Sequence, residues 1–220
     1  MKLRKFILLT ATLLLATACS GKPANNQQAS TTAKNKTAKK ALVVFFSHAG
    51  ENYSVGNIAT GNTKVVANYI SDIIGADQFE ITTNKYDGMD YKSLCDLAKK
   101  EQEQGLMPDF KGEVYQPATK KKVSLTESIH QYDVIFIGGP VWWGTYPQVM
   151  FSFFKKYAGQ FKDKTIIPFT THEGSGLGSC VSDVKKAFPD CKVTGEFCIA
   201  GHDVRKGRAT VEKWLNGLTY

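Results

Sequence analysis

No acidic residue occurs in the first 40 positions of this 220-residue chain, and no pair of its cysteines has Cys-x-x-Cys or zinc-ligand spacing. The second absence argues against a structural metal site and against a dithiol redox motif. No internal repeat is visible, and no apolar run approaches the ~18 residues that a membrane-spanning helix needs. Residues 20–40, SGKPANNQQASTTAKNKTAKK, lack aromatic and branched aliphatic side chains altogether. Such a stretch cannot bury enough surface to offset its ordering entropy, so it reads as a flexible tether.

The residues before the tether have a different character. MKLRKFILLTATLLLATACSG begins with basic residues, runs apolar from Phe6 to Leu15 and ends in small residues before Cys19, the pattern of a secretory leader over residues 1–18. Leu15, Ala16, Thr17 and Ala18 followed by Cys19 resemble the lipobox of bacterial lipoproteins. That resemblance implies cleavage before Cys19, diacylglycerol on its sulfur, and an exported protein held to a membrane on its periplasmic or cell-surface face. Arg4 has no arginine neighbour, so twin-arginine export is not indicated.

The net charge of +8 invites a nucleic-acid reading, which its distribution removes. Three basic residues sit in the leader and five in the tether, leaving 20 basic against 20 acidic residues in 41–220. A neutral domain gives no electrostatic footprint for nucleic acid. The basic tether suits a spacer beside anionic lipid headgroups. In an exported chain Cys95, Cys180, Cys191 and Cys198 have two fates, a disulfide, with Cys180 and Cys198 the favoured pair, or buried free thiols.

From residue 41 the pattern alternates strand and helix. ALVVFFS (41–47) is a continuous apolar run, as in a central parallel strand covered on both faces. From Thr63, apolar residues recur at helical spacing until Gly75. Further strands are predicted at 78–82, 133–139, 164–170 and 192–200, with helices at 147–157, 178–187 and 203–217. Between them, 83–132 holds one polar helix at 90–104 and a loop-rich piece whose Lys120, Lys121 and Lys122 form a solvated face. Alternation of this kind implies an α/β doubly wound parallel sheet, with ligands at the carboxyl ends of its strands.

Three loops fall at that edge. The first leaves the strand at Ser47 and reaches a helix only after Gly61, Asn62 and Thr63, a long excursion for a compact α/β unit. A glycine-opened helix start with nearby hydroxyls suits a phosphate; an ordinary turn with Asn62 as N-cap fits equally well. Gly56 and Gly61 have Walker A spacing, but Asn62 stands where the lysine is required, and no lysine or arginine occurs from 47 to 63. The second loop, GGPVWWGTYPQ, sets Trp142 beside Trp143, so at least one ring is free to wall a planar ligand. The third, THEGSGLGS, allows close backbone approach through its glycines, and Glu173 stands where a nucleophile elbow needs glycine.

Ser47 with GNTK, YDVIFIGGPVWWGTYP and PFTTHEGSGLGS together resemble the flavodoxin-like proteins, in the bacterial branch with an extended first loop and a Trp-Trp second loop. The resemblance covers about residues 41–205 and implies a five-stranded sheet in order 2-1-3-4-5, FMN as cofactor, and electron transfer with a redox protein or a small-molecule donor or acceptor. By this likeness Ser47, Asn62 and Thr63 hold the phosphate, and Asn52 and Tyr53, in the long front segment, are further cofactor contacts. Pro140, Trp142, Trp143 and Gly144 line one side of the flavin, and His172, Glu173, Gly174 and Gly176 the other. The departure is the first loop, longer than the tight Ser/Thr-x-Thr-Gly-x-Thr turn of standard flavodoxins. Two other readings stay open: an FMN-dependent oxidoreductase passing electrons from a nicotinamide to a quinone, and a flavin-free lipoprotein that uses the fold to bind a partner.

Overall fold

The computed structural model describes residues 39–219; the leader, Cys19 and nearly all of the tether lie outside the described residues. Strand β1 (Ala41–Phe46) is the centre of the molecule and is buried along its whole length. Its side chains alternate between two cores, as the period of a strand requires. Leu42, Val44 and Phe46 join the cluster on one face of the sheet, with Leu94, Phe153 and Val184, while Ala41, Val43 and Phe45 join the cluster on the other, with Val66, Ile70 and Val211.

Parallel partners flank β1: β4 (Asp77–Ile81) on one side and β7 (Val134–Pro140) on the other. Next come β8 (Thr165–His172) and β10 (Phe197–Ala200), so the parallel strands run β4-β1-β7-β8-β10, the expected 2-1-3-4-5 order. The sheet is nevertheless larger than the five strands expected. The segment after β4 adds two antiparallel edge strands, β5 (Val114–Gln116) and β6 (Lys121–Val123). Lysines on β6 blunt an edge that would otherwise offer unpaired backbone to another chain. The strand predicted at 192–200 is broken in two. Its first piece, β9 (Lys192–Val193), and β10 both pair with β8, and Gly195 lies between them at φ +68°.

Helix α1 (Asn62–Ile74) ends where Gly75 takes the left-handed conformation and its N–H bonds Ser71. Helix α2 (Tyr91–Gln104) starts at Asp90, whose carboxylate accepts the Ser93 N–H at 2.9 Å. After the short α3 (Leu125–Ser128) come α4 (Gln148–Tyr157) and α5 (Cys180–Ala187). The last helix, α6 (Arg208–Asn216), begins later than predicted because Gly201–Lys206 winds as a 3-10 helix. The four described cysteines are free thiols: Cys180 is buried and Cys198 exposed on the edge strand, so the disulfide favoured from sequence is not formed.

Candidate functional site

At the carboxyl end of β1 the chain must leave the sheet and later start α1 beside the same spot. Ser47 Oγ accepts the Lys64 N–H at 3.0 Å, satisfying one of the unpaired donors at the start of α1. The Ser47 hydroxyl oxygen therefore helps to cap the start of α1. A Cβ on Gly61 would collide with that hydroxyl and with the His48 carbonyl, which is why glycine stands there. Thr63 Oγ1 lies 2.8 Å from Thr171 Oγ1 in a buried bond that ties α1 to β8. The amides of Asn62 and Thr63, at the start of the helix, have no hydrogen-bond partner among the described residues.

The long first loop is a β-hairpin. Strands β2 (Gly50–Asn52) and β3 (Gly56–Ile58) pair antiparallel, with Tyr53 at the tip. The hairpin is braced against α2: Glu51 Oε2 accepts the Tyr91 N–H at 2.8 Å, and the Tyr53 and Tyr91 rings lie 6.0 Å apart. A carboxylate at the N-terminus of α2 is also favoured by the helix dipole.

In the second loop Trp142 and Thr145 exchange backbone hydrogen bonds at 2.8 and 3.2 Å. Between them Trp143 (φ +51°) and Gly144 (φ +84°) are both left-handed, as in a type I′ turn. The turn sends the two indoles apart. Trp142 packs edge-on against Tyr86, Phe46 and His48 at 5.2, 5.7 and 5.8 Å. Trp143 lies outward on α2, with Nε1 donating to the Cys95 carbonyl at 3.0 Å, its own carbonyl accepting from Gln102 at 3.1 Å, and Lys99 over its ring. The Gly144 carbonyl accepts the Ser179 N–H at 2.8 Å, which docks this turn on the third loop.

In that third loop His172 Nδ1 accepts the Gly174 N–H at 3.0 Å, so its proton resides on Nε2. Burial holds its pKa below the usual histidine value. Glu173 accepts from the His202 N–H at 2.8 Å and pairs with His202 Nδ1 at 2.7 Å. This hydrogen bond with Glu173, and the charge behind it, raise the His202 pKa. His48 is pushed the other way by burial, and its Nε2 is a buried nitrogen with no hydrogen-bond partner among the described residues.

These loops close around one cleft of about 500 Å³ at the carboxyl edge of the sheet. Of the expected residues, Asn52, Tyr53, Asn62, Thr63, Pro140, Trp142, Trp143, His172 and Glu173 line it. Ser47, Gly144, Gly174 and Gly176 do not: Ser47 caps α1, and the three glycines shape the turns behind the lining. Sequence reasoning missed the wall contributed by Tyr91, Leu94, Cys95 and Ala98 of α2, and Gly201 after β10. The polar helix at 90–104 was visible in the sequence, but nothing there said that Trp143 and Glu51 would bind it to the cleft.

No curated protein matches the chain. Among solved structures, a flavoprotein from Bacteroides uniformis is 23% identical, with 81% of this chain and 98% of that one covered at a TM-score of 0.55. A flavoprotein from Lactobacillus acidophilus, crystallised in complex with FMN, is 21% identical, with 77% and 98% covered at 0.54. A third, from Bacteroides eggerthii, is 24% identical, with 79% and 98% covered at 0.50. Likeness at this level establishes the shared fold. The sequence profile described as Flavodoxin matches residues 40–218, nearly the whole described structure, and the chain is a member of that family.

Proposed function

We propose that this protein binds FMN in the cleft and transfers electrons while tethered outside the cytoplasm by lipid on Cys19. The observation that carries the first half is convergence: loops after β1, β7 and β8 meet at one concave site, with free helix amides at one place and indole surface at another. The residues present fit the cofactor. Asn62 and Thr63 at the start of α1 suit the phosphate, and Gly61 keeps that end clear of side chain. Pro140, Trp142 and Trp143 suit one side of the ring system, and His172 with Glu173 the other. Bound FMN supplies the redox chemistry; the protein orients it and limits water and proton access. That a Lactobacillus relative was crystallised with FMN supports the same reading. The lipid anchor rests on the sequence Leu15 to Cys19.

Reconstitution tests the first half: after incubation with FMN and gel filtration, the protein is expected to carry about one flavin per chain, and a colourless protein would contradict it. For the anchor, labelling cells with a fatty-acid analogue should mark the native chain and fail to mark Cys19→Ser.

A further inference from the structure

Among the described residues six large apolar side chains stand open to water: Tyr53, Tyr91, Leu106, Met107, Tyr115 and Trp143. Tyr53, Tyr91 and Trp143 belong to the cleft, and Tyr115 stands by itself on β5. Leu106 and Met107 are adjacent, each 46% exposed, just past the end of α2. Their exposure is built into a fixed turn. Gly105 closes α2 in the left-handed conformation, and the Leu106 N–H donates to the Glu101 carbonyl at 2.9 Å. In a helix ending of this kind the residue at the Leu106 position ordinarily packs back on the helix. Further on, Ser152 Oγ donates to the Pro108 carbonyl at 2.6 Å, and Lys111 exchanges backbone hydrogen bonds with Thr82 at 2.8 and 2.9 Å.

Beside this pair lies a groove of about 610 Å³, whose lining includes Thr82, Lys85, Met107, Asp109, Phe110 and Lys111. Lys85 and Lys111 enter no salt bridge among the described residues. Neither does Lys156, whose Nζ stands 5.3 Å over the Phe110 ring. Asp109 is the one carboxylate in the lining. Glu101, near Lys85, is pushed toward its neutral form by burial. The cleft has the opposite character, with Glu51, Asp96 and Glu173 in its lining and no lysine or arginine.

Cations around an exposed apolar pair suit a bilayer interface, where lysines meet anionic headgroups and apolar tips enter the acyl boundary. An acidic protein segment would meet the same lysines, and proximity separates the two. Residues 41–220 carry 20 basic and 20 acidic residues, so no net charge steers a protein partner from a distance. A membrane needs no steering once Cys19 is lipidated. A tether of the composition of residues 20–40 spans on the order of 25 Å, which keeps the domain at an effective concentration of about millimolar.

We propose that Leu106 and Met107, with Lys85, Lys111 and Lys156, form a docking surface for an anionic bilayer, the one that holds the Cys19 lipid. The lipid supplies proximity and this surface supplies orientation, so the docking rests on the anchor reading above.

The test uses the full lipoprotein, purified from its membrane and reconstituted into vesicles of phosphatidylcholine alone or of phosphatidylcholine mixed with phosphatidylglycerol, and read by hydrogen exchange. Amides of 105–111 are expected to exchange at least about 10-fold more slowly in the anionic vesicles, since each lysine at the surface contributes about 5-fold. The slowing should vanish in about 1 M salt, where charge is screened within about 3 Å. It should vanish also in Lys85→Gln with Lys111→Gln, and in Leu106→Ser with Met107→Ser. These side chains are exposed, so melting temperatures should stay within about 2 °C of the parent, and the salt arm needs no variant. Equal exchange in the two vesicles, or slowing that survives salt and the lysine substitutions, would overturn the surface. If soluble poly-glutamate slows 105–111 and anionic vesicles do not, the groove takes an acidic protein segment and the proposal is wrong. If mass spectrometry finds no lipid on Cys19, the anchor reading falls and the docking with it.

Discussion

Glu101 faces the core from α2, where Tyr86 donates to its Oε2 at 2.8 Å while Oε1 has no hydrogen-bond partner among the described residues. Burial raises its pKa. Because the folded-state pKa lies above the unfolded one, ionising Glu101 costs stability as pH rises from the ordinary carboxylate range through the raised value. Glu101→Gln keeps an acceptor for Tyr86 and removes that cost. Thermal melts should show the variant more stable at neutral pH by about 2–4 °C for each kcal/mol recovered, with the gap closing near pH 4; an equal gap at both pH values would contradict this. Gly61 makes the opposite case. Valine there would meet Ser47 Oγ and the His48 carbonyl, so Gly61→Val is expected to cost at least about 1–3 kcal/mol and to weaken FMN, measured by denaturation and titration. His202 adds a pH dependence. Its folded pKa is raised by Glu173, so the stability that the clasp contributes is complete below the ordinary histidine value and is lost as pH rises through the raised one. Melting temperature should therefore fall on the alkaline side of that range, and His202→Ala should remove the fall.

At the scale of elements, the hairpin of β2 and β3 and helix α2 act as one unit laid across the cleft. Glu51 joins the two, because its carboxylate caps the first turn of α2 from the hairpin. Glu51→Ala is expected to cost about 0.5–2 kcal/mol, the range for losing a helix cap, and to raise hydrogen exchange in 50–58 and 91–95 together. Exchange confined to one of the two segments would mean that they are not coupled. The hairpin was not legible in the sequence for a physical reason. GEN and GNI are three-residue strands without buried faces, so no apolar alternation announces them, and Gly50 and Gly56 read as loop glycines. The 3-10 helix at 201–206 is similar: its residues suit a helix start, and the close approach of Gly207 to the Ile199 side chain just before α6 has no local signal in the sequence.

At the scale of the molecule, the parts that were legible are those whose burial is dictated by the chain itself. The runs at 41–47, 133–139 and 164–170 are apolar on both faces and became the three central strands, and their order follows from strand-helix alternation. The loops at their carboxyl ends were then located by topology, which is why Asn62, Thr63, Trp142, Trp143 and His172 meet in one cleft. What stayed hidden were contacts between distant segments made through side chains, such as Trp143 Nε1 to Cys95 and Tyr53 to Tyr91, since neither partner carries a local signal of the other.

In the proposed holoprotein the start of α1 and the indole-lined turn together hold flavin mononucleotide. Titrating the purified protein with FMN and, separately, with riboflavin while following flavin fluorescence tests both parts at once. Both flavins should be strongly quenched at saturation, with FMN bound at least about 10-fold more tightly because only it offers a phosphate to the helix amides. Absence of quenching at micromolar FMN, or equal affinity for the two flavins, would contradict it.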